Sequence, residues 1–164
     1  MSAKVDWAAS TIVLLLVSTA GCEPDWQAAT QPATGTVSIN GQPPEGLIVH
    51  LISADEPVDV RRSRPFGFVD AAGKFSLRTY STGEEGDGAP VGTYKVVLKW
   101  PVDRHVFGSP DQLRGRYDTE AESPMTITIA EGQTELTPIV LDGVKVVRPQ
   151  QTTVRSAKQS PFSE

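Results

Sequence analysis

A chain of 164 residues with a single cysteine and a formal net charge of −5 has length for one domain with short flanking segments. It has no partner for an intramolecular disulfide, and its acidic balance argues against the basic face of a general nucleic-acid binder. Hydrophobic residues make up 38% of the chain, too many for a wholly disordered protein.

The chain opens MSAKVDWAASTIVLLLVSTAGC. Lys4 supplies a weak positive region, diluted by Asp6, and Ala8 to Gly21 carry no charge. As a helix that stretch would span roughly 21 Å at ~1.5 Å per residue. It is short for a bilayer core of ~30 Å and suits the apolar region of a signal peptide. Small residues precede Cys22 in Ser18-Thr19-Ala20-Gly21, as a signal-peptidase pocket requires. The segment resembles the lipobox of bacterial lipoproteins. That resemblance implies a signal peptide over 1–21, cleavage before Cys22, lipidation of Cys22 and a membrane anchor through it. Ser18-Thr19-Ala20 also meets the small-x-small rule, so ordinary secretion stays open as the competing reading. A lipidated Cys22 takes no part in catalysis or metal binding.

Residues 22–33 are polar, contain Pro24 and Pro32, and read as a flexible tether. From Thr34 the pattern alternates. Thr36-Val37-Ser38-Ile39 reads as a strand closed by the turn signal Asn40-Gly41. Leu47 to Ile52 is a near-continuous apolar run, expected as a strand buried on both faces. Phe66 to Val69 makes a short strand, Asp70 to Gly73 a turn, and Lys74 to Arg78 another strand. In Tyr94 to Trp100 the residues Tyr94, Val96, Leu98 and Trp100 share one face, and Lys95 and Lys99 take the other. Met125, Ile127 and Ile129 alternate with threonines. Leu136 to Leu141 supplies a last strand, which Pro138 assigns to an edge or bulge. Short strands with frequent turns and no helical periodicity after Cys22 predict an all-β sandwich over 34–142. The tail 143–164 sets Lys145, Arg148, Arg155 and Lys158 against Glu164 and reads as a disordered terminus.

Four phrases in order carry a family resemblance: Gly35 to Pro43, Asp70 to Leu77, Gly86 to Val96, and Leu113 to Tyr117 followed by Ser123 to Ile127. They resemble bacterial predicted lipoproteins with a carboxypeptidase-regulatory-like domain. The resemblance implies a seven-stranded transthyretin-like (prealbumin-like) sandwich. It also implies a non-catalytic accessory or structural role, with no ligand assigned and no catalytic residue carried over.

Chemistry is sparse. His50 and His105 are the two histidines, and neither lies in an HExxH or HxxE pattern. His50 sits within an apolar strand and reads as a core or edge residue. Glu84-Glu85-Gly86-Asp87-Gly88 lacks the ligand spacing of a calcium loop and reads as a solvated turn. Arg61-Arg62-Ser63-Arg64 reads as an exposed hairpin loop, with an anion contact as the alternative. No metal, cofactor or nucleic acid is expected. The segment 101–123 is long for a strand connection. With Trp100 at its base, it carries His105, Arg114, Arg116 and Tyr117 as candidate ligand contacts, since aromatics beside arginines can stack on and hydrogen-bond a ligand. The competing expectation is a cap in which Leu113 and Tyr117 plug the core and the arginines face solvent.

The sequence therefore predicts a non-catalytic lipoprotein of the cell envelope, periplasmic or on the outer surface. It would present a β-sandwich for structural, protein or glycan contacts. The alternative is a secreted or periplasmic small-ligand binder or hydrolase using the 101–123 loop. That alternative requires a pocket shared by Trp100, His105 and Arg116.

Overall fold

The computed structural model describes residues 24–82 and 86–147. Expectations for 1–21, Cys22, Glu84, Glu85 and 148–164 fall outside the described residues. Seven strands follow one another: β1 (Thr34–Ile39), β2 (Ile48–Ser53), β3 (Phe66–Phe68), β4 (Lys74–Ser76), β5 (Gly92–Lys99), β6 (Thr126–Ile129) and β7 (Ile139–Leu141). No helix occurs among the described residues, and so none long enough to cross a membrane. The strands form a three-stranded sheet in the order β4-β1-β7 and a four-stranded sheet in the order β3-β2-β5-β6.

Alternation explains the layering. Val37 and Ile39 of β1, Phe75 of β4 and Ile139 of β7 point from the small sheet into the same core as Val49, Leu51, Tyr94, Val96, Leu98, Ile127 and Ile129 of the large one. Each such side chain contributes roughly 1.5–3 kcal/mol on burial. The β2–β5 ladder is the longest, pairing Ile48 with Lys99 through to Ser53 with Tyr94. All pairings are antiparallel except β1 with β7, which is parallel. β7 is short and lies at the sheet edge directly after Pro138, where a residue lacking an amide hydrogen does least harm.

Turn chemistry follows the sequence. Asn40 and Gly41 both take positive φ, 51° and 74°. Ile39 and Gln42 exchange backbone bonds of 2.9 and 3.0 Å across them, the two-residue turn that an Asn-Gly pair favours. The sheets approach along the β3–β4 side, where Phe66 and Arg78 exchange backbone hydrogen bonds of 2.9 and 2.8 Å. Gly67 permits this approach: a Cβ there would stand 2.6 Å from the backbone oxygen of Ser76.

Three expectations need correction. The β2 run is not buried on both faces. Val49 and Leu51 are buried, whereas Ile48, His50 and Ile52 are half-buried, because no further layer covers the outer face of this antiparallel sheet. The described part of the 22–33 tether is laid against the domain. Gln31 and Ala89 exchange backbone hydrogen bonds of 3.1 and 3.0 Å. The Gln31 side-chain oxygen accepts from the Gly132 amide at 2.9 Å. The Ala28 amide donates to the Tyr80 hydroxyl at 3.0 Å, and the Trp26 ring lies edge-on to Tyr80. Composition marked this segment as polar, but one tryptophan and one glutamine suffice to fix it. The first residues of the 143–164 tail are also fixed. Val144 is buried, Val146 packs on the core, and the Asn40 amide donates to the Val144 carbonyl at 2.8 Å.

Candidate functional site

The connection 101–123 is bolted to β5. The Leu98 amide donates to the Tyr117 carbonyl at 2.8 Å, and the Ser123 hydroxyl donates to the Val96 carbonyl. Asp111 binds the two ends of its first turn together, accepting from the Trp100 amide at 2.8 Å and from the Gly115 amide at 2.7 Å. Leu113 enters the core and Tyr117 packs half-buried against it. Arg114 and Arg116 are exposed. The segment thus covers the part of the β5 edge that the short β6 leaves open, which is how exposed sheet edges are shielded.

The candidate ligand contacts do not converge. Trp100 is half-buried, and its indole nitrogen donates to the Glu45 carbonyl at 3.0 Å. His105 is exposed at the far turn, where its ring nitrogen accepts from the Arg104 guanidinium at 3.2 Å. An open hollow of about 500 Å3 includes His105, Arg104, Asp103 and Gln112, but neither Trp100 nor Arg116 lines it. A second hollow of about 500 Å3 lies beside β1 and β4, between Phe68, Phe75, Asp70, Lys74 and Glu135.

A smaller cavity of about 220 Å3 lies on the outer face of the large sheet. His50, Arg64, Lys99 and Asp118 bring four polar groups to it, over Ile52 and Val97. Four separate segments meet there. β2 places His50 beside Val97 of β5 and Phe66 of β3. Lys99 projects from the end of β5, Arg64 from the loop before β3, and Asp118 from the 101–123 connection. The imidazole stacks on the Phe66 ring, with centroids 5.9 Å apart and planes inclined by 30°. Burial, then the positive charges of Arg64 and Lys99, hold the His50 pKa below its usual value. No ion pair joins Arg64, Lys99 and Asp118 among the described residues.

This grouping was not legible as a site. In the sequence Arg64 reads only as part of an arginine-rich loop, His50 as an apolar-strand histidine, and Lys99 as an outward strand residue. Strand register alone brings the last two together, and register is not written in any one strand.

Among the described residues no group of three or more His, Cys, Asp or Glu side chains is placed to hold a metal ion. Asp87, from the acidic run, accepts the Thr79 and Tyr80 amides, each at 2.9 Å. No protein-family model, curated protein or solved structure matches the chain.

Proposed function

We propose that this protein is a non-catalytic lipoprotein of the cell envelope, anchored through Cys22, whose β-sandwich has the transthyretin-like arrangement and serves structural, protein or glycan contacts. The anchor reading rests on Ala20-Gly21-Cys22 after an uncharged apolar run. The observation that carries the non-catalytic part is the placement of Leu113 in the core. The 101–123 connection is used for packing, and its aromatic and arginine residues are spread over different surroundings. Sheets of three and four strands around one core support the transthyretin-like arrangement.

The test is an intact mass of the mature protein from detergent-solubilised membranes. The expected species begins at Cys22 and carries a diacylglycerol group, and Cys22→Ala releases the protein to the soluble fraction. An unmodified chain beginning at Gly21 in the soluble fraction would overturn the reading.

A further inference from the structure

We propose that the cavity between His50, Arg64, Lys99 and Asp118 is a binding site for a phosphorylated sugar. It deepens the contact role above by naming a ligand class, and rests on that reading only for where the ligand is met. The argument begins with charge. Arg64 and Lys99 line one concavity of about 220 Å3 together with Asp118, and among the described residues neither cation forms an ion pair with that carboxylate or another. Two cations that share one concavity repel each other, the single carboxylate of Asp118 offsets only one of the two charges, and an oxyanion between them removes the remainder. A guanidinium and an ammonium supply the fork and the point charge that phosphate recognition uses.

Asp118 decides what else the ligand must carry. A carboxylate only accepts hydrogen bonds, so it opposes a bare phosphate and welcomes a ligand that also presents hydroxyl donors. Ile52 and Val97, which line the same cavity, add the apolar surface that the carbon face of a sugar ring covers. The charged groups facing His50 are therefore Arg64 from the β2–β3 loop, Lys99 from β5 and Asp118 from the 101–123 connection, with Arg78 over the Phe66 ring at 5.6 Å.

His50 reports occupancy. With no ligand its protonation is opposed by burial and by the two cations. A bound phosphate reverses the sign of the local field, so by linkage the His50 pKa rises when the site fills. The experiment follows both histidines by NMR in the full-length chain in detergent, at matched ionic strength. The probes are glucose 6-phosphate, inorganic phosphate and glucose. Glucose 6-phosphate is expected to raise the His50 pKa saturably by about half a unit or more, corresponding to roughly three-fold tighter binding to the protonated form. His105, outside the cavity, stays unchanged, and the paired substitution Arg64→Gln with Lys99→Gln abolishes the response. Both residues are exposed, so the variant folds.

A His50 that does not move, or that moves in parallel with His105, overturns the site. An equal response to inorganic phosphate overturns the sugar assignment. The mass of the same preparation reads the anchor independently, so failure of the site and failure of the anchor are told apart.

Discussion

The Tyr94 hydroxyl donates a 2.8 Å hydrogen bond to the carbonyl oxygen of Pro90, four residues earlier in the chain. The bond lies inside the core and fixes the corner by which the chain enters β5. Tyr94→Phe keeps the ring and leaves that carbonyl without its partner, at an expected cost of about 1–2 kcal/mol, read from the urea midpoint. Burial, with the nearby Tyr80 adding to it, pushes the Tyr94 pKa up to about 12. The unfolded phenol ionises near pH ~10. Tyr94 thus contributes stability that is complete below pH ~10 and is lost as pH rises through about 12. Tyr94→Phe should flatten that alkaline decline. An unchanged decline would show that the phenol is not the group responsible.

Leu113 and its neighbours Arg114 and Arg116 separate packing from surface within one connection. Leu113→Ala should cost about 2–5 kcal/mol, as for other buried leucines. Arg114→Ala and Arg116→Ala should stay within roughly 0.5 kcal/mol. Equal effects in thermal melts would refute the assignment of this connection as a cap.

Gly67 faces backbone across the seam between the sheets. Gly67→Ala places a methyl group where the Ser76 oxygen already stands, and the strands must part. We expect a loss of about 1–3 kcal/mol. Gly41→Ala meets no atom within 4 Å, so its cost is conformational alone, roughly 1 kcal/mol. A Gly41 variant less stable than the Gly67 variant would contradict this account of the seam.

Trp26 is held from two sides, with the Arg61 guanidinium 3.8 Å from its ring centre and Tyr80 edge-on at 5.6 Å. Tyr80 also donates to the Asp59 carboxylate at 2.9 Å. That carboxylate accepts the Arg61 and Ser63 amides at 2.8 and 3.1 Å. Trp26→Ala should free residues 24–30 for cleavage by a broad-specificity protease while the rest of the domain stays intact. Equal cleavage of the unsubstituted protein, followed by mass spectrometry, would show that the segment is not held.

The strands were legible because their signal is local. Val37-Ser38-Ile39, Tyr94 to Lys99 and Ile127-Thr128-Ile129 each declare a buried face by alternation, and Asn40-Gly41 and Gly73 declare their turns. The half-exposed face of β2 was hidden. An apolar run reads the same whether a second layer covers it or a flanking phenylalanine shields it in part, as Phe66 does beside His50. The docking of Trp26 and Gln31 was hidden for another reason: their partners, Tyr80 and Gly132, lie far along the chain. The cavity of His50, Lys99, Arg64 and Asp118 needs three such long-range relations at once.

The clamp on Trp26 moves the start of the folded unit from residue 34 towards residue 26. Four peptide steps then separate it from Cys22, a leash of at most ~14 Å at full extension. A lipid on Cys22 would keep the sandwich riding at the bilayer surface, with no arm to swing on. With that anchor in place, whatever it meets would have to come to the membrane.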